Sequence, residues 1–317
     1  MKDIILIYLI CAPLSIIASA FIIISWGVFA KLKHSGSNFI FFQSISDFIF
    51  TLKYVATIII YYTSDINQFD DGEVSNSALC FSIGVWGQFF GQATVMWSFM
   101  MTVKVFLQMM RQNQKQYQQQ LDKHKPQQVN NTKGTAAKEI STIKYYHLFV
   151  WGFCAVNAAI IGAFKQYGPS SNGCWIIGGT NPFRLFELVP LYITISTSIV
   201  IMIIILARMK RNRPTSLLPT ESVRYKQQEA EFRNQLLKFI FVFVLFWTPP
   251  TILRTLEFFE IEAKPFIILD AISVSLQACA NSLIWGTSKN FVKLLKRKVR
   301  RSKTQNAYLE REYLINK

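Results

Sequence analysis

The stretch LCFSIGVWGQFFGQATVMWSFMMTVKVFLQMM, residues 79–110, decides the fold of this chain. It is longer than the roughly 20 apolar residues that a helix needs to cross a bilayer, and Lys104 is its one charged residue. Gln88 and Gln92 lie one helical turn apart, on one face of the helix. Because lipid offers an amide no hydrogen-bond partner, this face is expected to turn towards other helices or a wet cavity. The pattern predicts the third and central helix of a seven-helix bundle.

The composition of the whole chain is that of a membrane protein. Of its 317 residues, 51% are hydrophobic and only 16% are charged, whereas soluble domains carry about 25% charged residues. The net charge of +16 lies in the gaps between apolar segments. We therefore interpret it as a topology signal and predict no nucleic-acid partner. The sequence shows no Walker loop, GxGxxG motif, internal repeat or Cys/His cluster, so no cofactor and no metal site is predicted.

Seven apolar segments predict an all-α membrane protein with a seven-transmembrane-helix bundle over residues 1–286. The helices are expected at about 4–30, 38–62, 79–107, 145–164, 183–207, 236–259 and 265–286. A polar Gln/Lys-rich loop at 108–144 is expected to be disordered or partly helical.

The last part of the chain, residues 287–317, is a basic tail. Apolar residues from Phe291 to Val299 alternate with Lys and Arg at helical spacing. This pattern predicts an amphipathic helix that lies on the anionic lipids of the inner leaflet. The alternative is a solvated basic tail.

The loops differ in charge according to the side of the membrane that each is predicted to face. Those after the first, third and fifth helices are basic, as is the tail, whereas those after the second and sixth are acidic. Because Lys and Arg accumulate on the cytoplasmic side, the pattern predicts the N-terminus outside and the C-terminus in the cytoplasm. The sequon Asn130-Asn131-Thr132 then lies in a cytoplasmic loop and is expected to carry no sugar.

This orientation places Cys80 at the outer end of the third helix and Cys174 in an outer loop. Both face an oxidising compartment, so a disulfide is expected, with two free thiols as the alternative. The other cysteines lie inside apolar segments and are interpreted as small packing residues: Cys11, Cys154 and Cys279.

Five residues inside the helices are candidates for packing or switching. Asp47 lies within the second helix, where a carboxylate costs roughly 2.5–3.5 kcal/mol. It is either functional or hydrogen-bonded to a Ser or Asn of a neighbouring helix. In the sixth helix, Pro249 and Pro250 remove two backbone donors and predict a kink close to Trp247. Asn281, in the seventh helix, is the remaining candidate.

Short motifs lie in order along most of the bundle. They are Cys80-Phe81 with Trp97, Lys144-Tyr145-Tyr146-His147-Leu148 with Trp151-Gly152, Cys174-Trp175-Ile176, Phe183-Arg184 with Pro190, Phe246-Trp247 with Arg254, and Ser273-Val274-Ser275. In these motifs the chain resembles G-protein-coupled receptors, and more narrowly the slime-mould cyclic AMP receptors and their cAMP-receptor-like relatives. It lacks the Asp-Arg-Tyr and Asn-Pro-x-x-Tyr motifs of rhodopsin-like receptors, and its second inner loop is long. G-protein coupling therefore follows from the resemblance alone.

A pocket open to the outside is expected among the outer halves of the third, fifth, sixth and seventh helices. The candidate ligand-binding residues are the polar and charged side chains at that level: Gln88, Gln92, Arg184, Glu187, Arg254 and Asp270. The guanidinium groups of Arg184 and Arg254 are suited to hold an anion, and the resemblance implies a cyclic-nucleotide-like ligand. Alternatively, each arginine pairs with the glutamate three residues further on, Glu187 or Glu257, or extends to the lipid headgroups.

The resemblance implies a receptor in the plasma membrane, although an internal membrane would fit the same sequence. The receptor would sense an extracellular small molecule and signal to a heterotrimeric G protein through movement of the sixth helix. The alternative is a multi-pass transporter or proton-coupled carrier, with Asp47, Lys53, Lys104 and Asp270 as relay groups. Transporters usually show matching halves, which this sequence lacks.

Two further classes have less support from the sequence. A retinal protein needs a lysine in the middle of its last helix, and none lies between Lys264 and Lys289. No nucleophile–base pair or metal set stands out, so an enzyme is not predicted.

Overall fold

The computed structural model describes residues 2–29, 35–63, 78–121, 133–170, 173–211, 221–261, 263–289, 291–298 and 300. Within these residues the chain forms seven long helices, each with a stretch long and apolar enough to cross a membrane. They are α1 Lys2–Val28, α2 Ser35–Thr63, α3 Ala78–Leu121, α4 Lys133–Ala163, α5 Leu185–Arg211, α6 Glu221–Phe258 and α7 Lys264–Gly286. The predicted seven-helix bundle is confirmed.

Three helices extend far beyond their predicted membrane segments. Helix α3 continues to Leu121, α4 begins at Lys133 and α6 begins at Glu221. These extensions are rich in Gln, Lys and Glu, which are good helix formers in water. The predicted polar loop is therefore helical at both of its ends. The sequon at 130–132 and the acidic loop at 64–77 lie outside the described residues.

Helix α3 is the central element of the bundle. It contacts α2, α4, α5, α6 and both strands of a short hairpin. In its most apolar stretch 61% of the residues are buried, against 28% for the corresponding stretch of the peripheral helix α4. Trp97 of α3 is fully buried and packs against Phe39 and Phe42 of α2 and Trp151 of α4.

The outer surface of the bundle is apolar, as lipid contact requires. On α1 the exposed side chains recur at helical spacing along one face: Leu6, Ile10, Leu14, Ile17 and Ile24. Opposite this face, the hydroxyl of Ser15 donates to the carbonyl of Ser275, which joins α1 to α7. The burial pattern is therefore that of a helix with lipid on one side and protein on the other.

The loop after α4 forms an antiparallel hairpin that the sequence analysis did not predict. Its strands are β1 Tyr167–Ser170 and β2 Gly173–Ile176. The predicted disulfide is confirmed: Cys174 of β2 is bonded to Cys80 of α3, with 5.2 Å between their Cα atoms. The Tyr167 hydroxyl donates to the carbonyl of Ala158 at 3.3 Å. Burial raises the pKa of the Tyr167 phenol above its ordinary range, so the phenol stays protonated and can donate this hydrogen bond.

Helix α6 runs without interruption through Pro249 and Pro250. Because proline has no N–H, the carbonyl groups of Leu245 and Phe246 lose their helical donors. Near this point the Thr251 hydroxyl donates to the carbonyl of Trp247 at 2.6 Å. Two helical hydrogen bonds are therefore missing from this segment of α6.

Residues 291–298 of the tail are helical. Phe291 is buried against Phe21, Phe29 and Trp285, whereas Leu295 is exposed. The predicted apolar stripe is therefore divided, and the part at Phe291 packs on the protein rather than on lipid. Val299 and 301–317 lie outside the described residues.

Candidate functional site

A cavity lined by charged and aromatic side chains lies between α1, α2, α3, α5, α6 and α7, on the side of the bundle that carries the hairpin. Its volume is about 70 Å³, taken as the space open to the centre of a water molecule. Four of the six predicted ligand-binding residues line it: Gln88, Glu187, Arg254 and Asp270. Aromatic rings form much of the remaining wall: Tyr8, Phe50, Tyr54, Trp175 and Trp247.

The other two predicted residues, Arg184 and Gln92, are not part of the cavity wall. Gln92 donates to the carbonyl of Phe186 at 3.2 Å and thereby joins α3 to α5. Arg184 lies in the 3-10 turn Pro182–Arg184 and donates to the carbonyl of Ile176 at 3.2 Å. Gln92 therefore has a packing contact, and Arg184 ties the start of α5 to the hairpin.

An ion-pair network joins the start of α5, the C-terminal end of α6 and the N-terminal part of α7 on the side of the bundle that carries the hairpin. Oxygen Oε2 of Glu257 accepts from Arg184 at 2.5 Å and from Arg254 at 2.8 Å. Arg254 also pairs with Asp270 of α7 at 3.2 Å. The alternative pairing of Arg254 with Glu257 is confirmed, whereas that of Arg184 with Glu187 is wrong, because Glu257 of the neighbouring helix lies against Arg184.

The two arginines of the network pack over the ring of Trp175 in the hairpin. The guanidinium carbon of Arg184 lies 5.1 Å from the ring centroid, and that of Arg254 lies 4.5 Å from it. Both distances are in the range of cation–π attraction. An anion that binds between the two arginines must therefore compete with Glu257, which lies between them already.

Gln88 of α3 connects three other elements of the cavity wall. Its amide nitrogen donates to Glu187 of α5 at 2.8 Å and to Asn157 of α4 at 3.2 Å. Its amide oxygen accepts from the indole of Trp175 at 2.7 Å. The polar face predicted for α3 thus turns inward, and it positions the Glu187 carboxylate at the cavity.

Lys53 is the charged residue of the cavity wall that the sequence analysis did not identify as a ligand-binding candidate. It is buried on α2, lines the cavity and lies 6.0 Å from the ring centroid of Phe50. Gly87 of α3 leaves the space for its side chain, since a Cβ atom there would lie 2.8 Å from the Lys53 nitrogen. A lysine within an apolar helix, six residues after Asp47, was the signal in the sequence.

Two further hydrogen bonds connect α7 to its neighbours, the first of them at the cavity wall. The Trp247 indole donates to Gln277 at 2.7 Å, and the Asn281 amide donates to Asp47 at 3.3 Å. Three of the five predicted packing or switch residues therefore make direct polar contacts between helices. For Asp47, the contact is the hydrogen bond to a neighbouring Asn that the sequence left open as an alternative.

No family model matches this chain. It is 58% identical over 324 residues to cyclic AMP receptor-like protein F of Dictyostelium discoideum, and the alignment covers all of both chains. It is 22% identical over 285 residues to cyclic AMP receptor-like protein A of the same organism, which covers 89% of this chain and 63% of that relative. With its seven apolar helices, the chain is a multi-pass membrane protein that belongs to the cyclic AMP receptor-like family.

Proposed function

We propose that this protein is a plasma-membrane receptor that binds an extracellular small molecule in the cavity and signals to a heterotrimeric G protein. The observation that carries the proposal is a charged and aromatic cavity within a seven-helix bundle of the receptor-like family. Lys53 and Arg254 are the cationic groups of the wall, and because Arg254 is already paired with Glu257 and Asp270, Lys53 is the group that suits a ligand with an anionic group. The relative's name makes cyclic AMP the first probe to test.

The proposed orientation has the N-terminus outside. The disulfide of the hairpin supports it, because a disulfide forms in an oxidising compartment. The basic tail then lies in the cytoplasm, where its described cations meet anionic inner-leaflet lipids: Lys289, Lys293, Lys296, Arg297, Lys298 and Arg300. We expect no sugar at Asn130 in cells and added sugar at a sequon engineered into 64–77. Glycosylation at Asn130 would contradict this orientation.

The proposed signal passes through α6. Ligand contacts at Arg254 bias this helix at the Pro249-Pro250 segment, where two backbone hydrogen bonds are missing. Trp247 lies deeper on the same helix and is bonded to α7. At the inner end, Glu231 pairs with Lys289 at 2.9 Å, and movement of α6 would separate them and open a groove for the G protein.

A G-protein dissociation assay in cells tests the receptor function. Cells that express the chain with a surface tag are challenged with cyclic AMP, cyclic GMP and a panel of small charged metabolites. We expect one of these probes to dissociate a G protein, and Arg254→Ala to abolish the response at equal surface expression. Lys165→Ala is the control, since Lys165 is exposed at the same end of the bundle. Uptake of a labelled probe without G-protein dissociation would favour the carrier instead.

The role of the two prolines is tested separately. Replacement of both Pro249 and Pro250 by Ala restores the missing backbone donors and should reduce the ligand response at normal surface expression. The matched control is Pro190→Ala in α5, another helix that contains an internal proline. An unchanged response in the double variant would exclude this segment as the hinge.

A further inference from the structure

Two of the four charged residues that line the cavity have no ion-pair partner within the described part of the chain. Arg254 and Asp270 pair with each other, and Arg254 also pairs with Glu257. Lys53 and Glu187 line the same cavity with opposite charges, and neither belongs to an ion pair among the described residues. The cavity therefore presents one cation and one anion to whatever occupies it.

The positions of both groups are fixed by neighbouring residues of α3. The Lys53 side chain passes over Gly87, where a Cβ atom would lie 2.7 Å from its Cδ and 2.8 Å from its Nζ. The next residue, Gln88, donates to the Glu187 carboxylate at 2.8 Å. One short segment of α3 thus admits the ammonium group and holds the carboxylate.

Lys53 is buried and Glu187 is half-buried, and a charge in such a position is unfavourable without an ion-pair partner, because the protein replaces only part of its lost hydration. An anionic ligand would neutralise Lys53 and leave Glu187 as it is, and a cationic ligand would do the reverse. A ligand that carries one charge of each sign satisfies both groups at once. The Arg184 and Arg254 network does not demand further charge, since Glu257 and Asp270 balance it.

We propose that the cavity binds a small zwitterion, with its anionic group at Lys53 and its cationic group at Glu187. This inference rests on the proposed receptor function and specifies its ligand class. The cavity volume of about 70 Å³ supports it, since each buried water needs roughly 10–15 Å³ on the same measure. By this measure the space corresponds to about five to seven waters, which suits a molecule of amino-acid size. The rings of Tyr54 and Trp247 offer contacts for an apolar substituent.

Binding to the purified full-length protein in detergent tests the ligand class without any need for signalling. The probes are the common α-amino acids, β-alanine and γ-aminobutyrate, each applied up to a concentration on the order of 10 mM. We expect at least one to raise the apparent melting temperature of the protein. The same molecule without its amino group, or with its carboxylate converted to an amide, should bind about tenfold more weakly or worse.

Two substitutions assign the charged groups of the ligand to their partners. In Lys53→Met the zwitterion should bind no better than its amide, whereas in Glu187→Gln it should bind no better than its deaminated acid. Lys289→Met and Glu231→Gln remove the same charges from the pair at the inner end of the bundle and should change neither preference. Gly87→Ala should weaken zwitterion binding by displacing the Lys53 side chain. An unliganded melting curve of each variant shows that it is folded.

The outcomes separate this inference from the proposed function. If no zwitterion binds the folded protein, or if Lys53→Met and Glu187→Gln leave both preferences intact, the inference is overturned. If cyclic AMP dissociates a G protein in cells while no zwitterion binds, the receptor function stands and the ligand class falls. If a zwitterion binds with the expected preferences but no G protein responds, the site stands and the signalling proposal falls.

Discussion

Trp247 donates a hydrogen bond of 2.7 Å to Gln277, and this bond joins α6 to α7 at the cavity wall. Both residues are buried, so the indole N–H and the amide oxygen depend on each other rather than on water. Nearer the hairpin, Arg254 and Asp270 of the same two helices are also in contact. A ligand that changes the spacing of α6 and α7 would therefore act on both contacts.

Trp247→Phe removes the indole N–H and leaves the Gln277 oxygen without its donor. We expect a loss of about 1–3 kcal/mol in stability, visible as a lower melting temperature in detergent. Adding Gln277→Leu removes the amide as well, and the double variant should recover part of the loss. The single variant Gln277→Leu completes the comparison. If the stability losses of the two single variants add up to that of the double variant, the hydrogen bond is not what stabilises this contact.

Glu257→Gln tests the ion-pair network on the hairpin side of the bundle. The substitution leaves the buried Arg184 without its carboxylate partner, and removing one member of a buried pair costs about 3–5 kcal/mol. Glutamine keeps one acceptor oxygen, so we expect the lower end of this range in a thermal or chemical unfolding measurement. Glu231→Gln breaks the exposed pair with Lys289 and should cost only about 0–1 kcal/mol. Equal effects of the two substitutions would contradict the network's role.

Two helical glycines predict opposite results for the same substitution. A Cβ atom at Gly84 of α3 would lie 2.9 Å from the Cβ of Tyr167, whereas at Gly152 of α4 nothing lies within 4 Å. Gly84→Ala should therefore displace the hairpin and cost about 1–3 kcal/mol. Gly152→Ala should be neutral or stabilising by up to about 1 kcal/mol, since alanine favours the helix. Similar melting temperatures for the two variants would show that the hairpin shifts to accommodate the added methyl group at little cost in stability.

The helices of this fold could be predicted because each depends on a local property of the sequence. The length and hydropathy of each apolar run define the membrane helices, and the polar face of α3 follows from the spacing of Gln88 and Gln92. Most of the predicted ligand-binding residues line the cavity because they lie at the same depth in neighbouring helices. Depth in a bilayer can be counted along a sequence from the ends of each segment.

The partners of the charged residues could not be predicted in the same way. Arg184 pairs with Glu257, which is 73 residues away along the chain, and helix rotation rather than depth decides that contact. Lys53 can line the cavity because Gly87, on another helix, leaves room for its side chain. The hairpin was not predicted because its strands are only four residues long and contain Gly and Pro, which are uncommon in strands.

The disulfide between Cys80 and Cys174 joins residues 94 positions apart in the chain and fixes β2 to the N-terminal end of α3. Its removal in a Cys80→Ala/Cys174→Ala variant should cost about 2–5 kcal/mol and lower surface expression. Trp175 follows Cys174 directly, lines the cavity and donates a hydrogen bond to Gln88. Because loss of the disulfide would free this part of the wall, ligand affinity should fall as well.

The redox test of this disulfide compares melting temperatures with and without dithiothreitol. The reductant should lower the melting temperature of the wild-type protein and leave that of the double variant unchanged. Cys279→Ala is the matched control, because Cys279 is not part of a disulfide, and it should respond to the reductant as the wild type does. A wild-type protein whose stability and ligand affinity are both insensitive to full reduction would show that packing alone holds β2 at the cavity. In that case the contacts of Trp175 with Gln88 and with the two arginines would be the stabilising ones.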